Sequence, residues 1–192
     1  RIWGSRMAMV FQDPMTALSP VTTIGAQLAR PIRYHAGVGR AAATTRALEL
    51  LRRVGIPDAE RRLRQYPHEL SGGMRQRVVI ALAICNTPRY LFADEPTTAL
   101  DVTVQAQVLD LLDELRELSG IGMVPCSHNL HVVRGRTDDV QVMYAGQVVE
   151  AGPTVHVFER PHMPYTAALL NSAPRFDRPP HTRLDAIPGR PP

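Results

Sequence analysis

The short apolar run Tyr90-Leu91-Phe92-Ala93 stops abruptly at Asp94-Glu95-Pro96, and it constrains the fold more than any other feature of these 192 residues. A run of that length bounded by charge reads as a buried strand. After it, Val104, Val108, Leu111, Leu112, Leu115 and Leu118 recur at helical spacing, predicting a helix of about four turns that closes at Gly120. Residues 121–126 read as another strand, and 140–150 as a further pair joined at Ala145-Gly146. Strand–helix–strand alternation points to a parallel sheet in an α/β fold. Ligands of such sheets gather at the C-terminal strand edge, where Asp94 and Glu95 fall. Upstream, Ala47, Leu48, Leu50, Leu51 and Val54 predict a helix stopped by Gly55 and Pro57. Asp58 is placed to cap a short arginine-rich helix that ends before Pro67.

Composition narrows the chemistry. All 22 basic residues are arginine, so a mechanism that needs a lysine ammonium, a Schiff base or a P-loop lysine, is excluded within this chain. Eleven arginines against four acids lie between Arg30 and Arg77, and seven acids against two arginines between Arg89 and Gly120. Only Tyr34 and Tyr66 offer aromatic stacking within the basic block, so it is expected to be a solvated or docking face and not a nucleic-acid surface. Cys85 and Cys126 are too few for a disulfide framework or a four-cysteine metal site and read as small buried hydrophobes. Met7, Met9 and Met15 read as packing residues. No apolar run approaches the roughly 18 residues that cross a bilayer. The first residue is Arg1, which is expected of a fragment or of a chain that starts at Met7 or Met9.

Two strings carry chemistry. In phosphoryl transfer the first acid of Asp94-Glu95 is suited to holding Mg²⁺ and the second to polarising a water, and strand alternation sends the two side chains to opposite faces. The same pair also fits a helix-capping Asp-Glu. Leu70-Ser71-Gly72-Gly73-Met74-Arg75-Gln76-Arg77 precedes an apolar helical run through Ala83. Serine and paired glycines at a helix N-terminus present bare N–H groups and the positive dipole end to a phosphate, or form an ordinary serine N-cap.

The whole eight-residue string resembles the signature motif of ATP-binding-cassette (ABC) ATPases. Asp94-Glu95 follows at that family's Walker B spacing. Val10-Phe11-Gln12-Asp13-Pro14 is similar to its Q-loop, Thr98-Ala99-Leu100-Asp101 to its D-loop and Ser127-His128 to its switch-histidine loop. Pro161-His162-Met163-Pro164-Tyr165-Thr166, with Ala186-Ile187-Pro188-Gly189, resembles the C-terminal extension of oligopeptide/dipeptide importers. The resemblance implies a P-loop NTPase-type ABC ATPase domain over residues 1–150 that lacks its N-terminal part. It also implies a helical subdomain at about 21–77 and an extension at 151–192. It assigns catalysis to Glu95, His128 and Gln12, Mg²⁺ to Asp94 and Gln12, and ATP contacts to Ser71, Gly72, Gly73 and Gln76. Asp101 would reach across a dimer. The implied work is ATP-driven peptide import, by a peripheral subunit at the cytoplasmic face of the membrane. Its partners would be transmembrane permeases, a second ATP-binding subunit and, indirectly, an extracytoplasmic binding protein. A non-catalytic partner lending its signature motif in trans, or an inactive remnant, are the alternatives.

The sequence departs from the family in two places. The Gly-x-x-x-x-Gly-Lys-Ser/Thr cradle is absent, and with Gln12 so near the start the chain is about 80–90 residues short of an ordinary cassette. Sheet edges and apolar faces are expected to lie uncovered as a result. The switch region also drifts: Asn129 replaces an aspartate, Gly135 weakens a helix, and Pro125 removes a ladder hydrogen bond from what should be a central strand. These 192 residues alone are therefore expected to hydrolyse no ATP. A phosphate-release assay checks this, and magnesium-dependent turnover abolished by Glu95→Gln would contradict it.

Overall fold

The computed structural model describes residues 2–98 and 100–172, apart from the side chain of His131. Ala99 of the D-loop string and the Ala186–Gly189 end of the extension lie outside the described residues. The chain forms two compact units divided between Cys126 and Ser127.

In the first unit β1 (Met7–Val10), β2 (Tyr90–Asp94) and β3 (Gly122–Cys126) form a parallel sheet in the order β1-β2-β3. The connections are helical. After β1 come α1 (Pro14–Ala17), α2 (Ile24–Ala36), α3 (Arg40–Arg53), α4 (Ala59–Arg62), a 3-10 turn at Pro67–Glu69 and α5 (Gly72–Ile84). A single helix, α6 (Val102–Ser119), joins β2 to β3. Strand alternation sends Ala8, Val10, Leu91 and Ala93 into the core. They join Val78, Val79, Ile80, Ala81 and Ile84 of α5 and Val108, Leu111, Leu112 and Leu115 of α6. α5 is apolar on most of its circumference, the mark of a helix packed on several sides. Each fully buried Ile or Leu, such as Ile80 or Leu91, contributes roughly 1.5–3 kcal/mol. Within this unit the other sheet face is open: Tyr90 and Val124 are exposed, Met9 and Phe92 half-buried.

Several expectations change. α3 begins seven residues before the apolar series that signalled it, because the segment Arg40–Arg46 is rich in alanine. Asp58 stands at the cap position of α4, yet its side chain makes no capping bond. Its φ of 51° is left-handed, whereas a side chain that folds back over the first amides needs extended backbone. Asp13 and Asp101 have that extended backbone, and both cap. Cys126 is exposed and Cys85 half-buried, so neither is a fully buried hydrophobe. Met15 is exposed as well. Pro125 is paired opposite Ala93 in β3, the outer strand of the described sheet, where a missing N–H is tolerated.

In the second unit α7 (Leu130–Val133) is followed by the antiparallel pair β4 (Asp139–Tyr144) and β5 (Gln147–Pro153). Ala145 and Gly146 both have positive φ, 49° and 75°, as a type I′ hairpin requires. α8 (Thr154–Glu159) and α9 (Pro164–Ser172) complete it. Glu150 ties α9 to the hairpin: its carboxylate accepts from the backbone N–H of His162 at 2.7 Å and of Met163 at 3.3 Å. The Thr166 hydroxyl beside it and those N–H groups hold its pKa below the ordinary 4.5. The contact therefore stabilises the fold above that value and is lost as pH falls through the lowered folded value. Glu150→Gln at neutral pH and acidification of the unaltered chain should both speed amide exchange selectively in residues 164–172. Unchanged protection in the variant would remove Glu150 from this role.

Candidate functional site

β1 and β2 run side by side with Val10 opposite Ala93, so the residues leaving their C-terminal ends emerge together. Gln12 Nε2 donates to Glu95 Oε2 at 2.8 Å across 83 residues of sequence. Thr98 Oγ1 donates to the same oxygen at 2.9 Å. Glu95 is turned out of the strand by a φ of 43°, a conformation that costs an L-residue roughly 1–3 kcal/mol and persists where surrounding bonds over-determine it. Here the Glu95 amide donates to the Cys126 carbonyl at 2.9 Å, extending the β2–β3 pairing past the strand end. Strain is thus concentrated on one of the two carboxylates that the sequence singled out.

Asp94 closes β2, half-buried, with Cys126 as its register partner in β3. Partial burial and the Asp94 carboxylate push the Cys126 thiol above its ordinary value, so it stays a neutral S–H at physiological pH. With its nitrogen committed to Glu95, Gln12 has its carbonyl oxygen free. The Asp94 carboxylate and that carbonyl are hard oxygen donors, the chemistry Mg²⁺ prefers.

Ser71 caps α5, its Oγ accepting from Met74 N at 3.3 Å, so the N-cap reading of this serine holds. Asp101 caps α6, its Oδ1 accepting from Val104 N at 3.0 Å. The two helix N-termini approach closely. A Cβ on Gly73 would lie 2.5 Å from Val104 Cγ1, and one on Gly72 would lie 3.8 Å from Leu100. Packing of α5 against α6 therefore demands a glycine at 73 independently of any ligand. Gln76 is 1% exposed and its Nε2 has no hydrogen-bond partner; in this conformation it is an interior residue. Arg77 donates to the Val54 carbonyl at 2.7 Å, fastening the signature helix to the end of α3. Arg75 contacts Met15 Sδ, linking that helix to α1, just beyond Gln12.

Gln12, Asp94 and Glu95 thus share one strand edge of the first unit, where Ser71, Gly72, Gly73 and Asp101 occupy the paired helix ends. His128 belongs to the second unit, in a turn closed by Asn129 N donating to Ser127 Oγ at 3.0 Å. Sequence reasoning missed Thr98 as a partner of Glu95, and Cys126 beside Asp94. The first had a signal in its three-residue spacing from Glu95; the second depends on strand register, which is not legible in the chain.

At Gly73→Ala, helix propensity returns up to about 1 kcal/mol. Overpacking against the stiff β-branched Val104 costs about 1–3 kcal/mol. Net destabilisation in urea unfolding is expected, with most of it recovered in the Gly73→Ala/Val104→Ala double variant. Full stability of the single variant would show that the two helix ends are not in contact.

Comparison with known proteins places the chain among relatives of one family. The profile of the family described as "ABC transporter" matches residues 1–98, and that of the "Oligopeptide/dipeptide transporter, C-terminal region" matches 149–192. The oligopeptide transport ATP-binding protein OppD of Mycobacterium tuberculosis is 53% identical over all of this chain and 32% of its own length. The dipeptide transport ATP-binding protein DppD of Lactococcus lactis is 50% identical over all of this chain and 55% of its own. A Brucella abortus relative is 58% identical over 92% of this chain and 52% of its own. The chain thus spans about half, or less, of the curated relatives it matches. The dimeric cassette MJ0796, bound to ADP and Pi, superposes with a TM-score of 0.68 at 29% identity, covering 78% of this chain and 63% of that one. CbiO1 of Clostridium perfringens gives 0.69 at 28%, covering 80% and 59%.

Proposed function

The chain belongs to the ABC transporter family, and from that membership we propose that it serves as the ATP-binding subunit of a peptide importer. The observation that carries the proposal is the bonding of Gln12 and Thr98 to one oxygen of Glu95 at the strand edge that also bears Asp94. Phosphoryl transfer asks little covalent chemistry of a protein, and positioning with charge neutralisation does most of the work. Glu95 is the general base, or orients the attacking water. Gln12 fixes the rotamer of Glu95 through its amide nitrogen. Asp94 and the Gln12 carbonyl would hold Mg²⁺, which when bound neutralises phosphate charge.

Ser71, Gly72 and Gly73 would face the γ-phosphate of ATP held on a second subunit, with Asp101 reaching across the dimer; His128, like Glu95 and Gln12, would act catalytically, contacting the γ-phosphate. Gln76 supports this surface from within the fold. The phosphate cradle itself must come from polypeptide other than these 192 residues, which contain no lysine. The relatives' names supply the cargo class, since OppD and DppD are named for oligopeptide and dipeptide transport. Helices between about residues 21 and 77 would meet the permease, with the subunit peripheral at the cytoplasmic membrane face. Among the described residues no helix is long and apolar enough to cross a membrane.

In the assembled transporter, Glu95→Gln should lower ATP hydrolysis and peptide uptake together by a factor of about 10²–10⁴, the usual contribution of a general base. ATP binding should persist, read by filter binding of labelled nucleotide. Unaltered turnover in this variant would overturn the assignment of Glu95. Uptake of some other solute class, with peptides excluded, would overturn the cargo.

A further inference from the structure

The short segment between β2 and α6 does more than turn the chain. Pro96 and Thr97 are buried in it, whereas Thr98 is exposed. Thr98 directs both of its donors to one residue. Its backbone N–H reaches the Glu95 carbonyl at 3.3 Å, and its hydroxyl reaches Glu95 Oε2 at 2.9 Å. Threonine hydroxyls in turns commonly bond nearby backbone groups. Here the hydroxyl takes a carboxylate oxygen instead, and hydrogen bonds to ionised acceptors are the stronger kind.

The segment is also held from α6. Gln105, near the start of that helix, donates from Nε2 to Thr97 Oγ1 at 2.9 Å, and Thr97 is 5% exposed. The Leu100 amide closes a further turn on the Thr97 carbonyl at 3.1 Å. The Gln105 amide in turn donates to the carbonyl of Asp101, the cap of α6, at 2.8 Å. The loop is thus fastened at both ends, to Glu95 on one side and to α6 on the other. Gln12 holds the same carboxylate from beyond β1. A glutamate side chain has several soft torsions, and a general base works only when its oxygen is held within reach of the proton it takes. A single donor leaves a carboxylate able to pivot about that bond. Two donors arriving from different segments restrict it to one orientation.

We propose that Thr98 is a positioning residue for Glu95, kept in place by Gln105 through Thr97. This rests on the reading of Glu95 as the group that activates or orients the attacking water. Thr98 acts through Glu95, so its loss should slow the chemical step and leave ATP binding as it was.

Steady-state ATP hydrolysis by the assembled transporter tests the assignment. Thr98→Val keeps the shape of the side chain and removes the donor. Its kcat should fall about tenfold, the effect of one hydrogen bond to a charged group, with KM for ATP unchanged. Thr98→Ser, which keeps the hydroxyl, should recover most of the rate. In a Glu95→Gln background Thr98→Val should cause no further loss, because the two residues act as a unit. Gln105→Met should also lower kcat at constant KM, by a smaller factor than Thr98→Val. Full kcat in Thr98→Val beside an inactive Glu95→Gln would overturn the proposal and leave the reading of Glu95 standing. Full activity of Glu95→Gln would overturn both. Equal losses in the Val and Ser variants, or a Val loss that multiplies with that of Glu95→Gln, would mark a merely structural role and overturn it as well. Undiminished kcat in Gln105→Met would overturn the part given to α6.

Discussion

The parallel pairing of β1 with β2 is the constraint on which the rest depends. Register, not proximity in sequence, makes Gln12 and Glu95 neighbours, because a parallel ladder aligns the ends of both strands at one edge. A slip of one residue would turn Ala8, Val10, Leu91 and Ala93 out of the core, so the same apolar contacts that stabilise the sheet also hold the polar cluster in alignment. Glu95 tolerates its left-handed backbone because four separate elements meet there: the end of β2, the Cys126 carbonyl, Gln12 and Thr98.

The helix ends provide the second fixed point. Ser71 and Asp101 each satisfy an amide of their own helix, and Gly73 allows α5 and α6 to approach within contact of Val104. Arg75 and Arg77 then join this corner to α1 and to the end of α3. The signature string is therefore a packing element before it is a binding one: Ser71, Gly73, Arg75 and Arg77 each have a local structural role.

Much of this was legible in the chain. The apolar run ending in Asp94-Glu95, the closure of α6 at Gly120 and the Ala145-Gly146 turn all follow from period and punctuation, whereas the Asp101 cap of α6 did not come from the sequence. Propensity misled at Asp58, where an aspartate in the right place had the wrong backbone for capping. It was silent at Glu150, which is held by backbone N–H groups 12 and 13 residues away and by the Thr166 hydroxyl beside it. Cys126 looked like a buried hydrophobe, since nothing in its neighbours reveals that β3 is the outer strand of the described sheet. Pairings across strands and exposure at a sheet edge are tertiary facts, and local residue pattern carries little of either.

Glu95 accepts from Gln12 and from Thr98 on the same oxygen, Oε2, and this doubling has a consequence for isosteric replacement. An amide in that position cannot choose its orientation freely: its oxygen must take the twice-bonded place, which forces the NH₂ into the place of Oε1. The substituted side chain would then present hydrogens where the native one presents lone pairs. Polarity there would be inverted, and not merely neutralised, with the backbone left as it was.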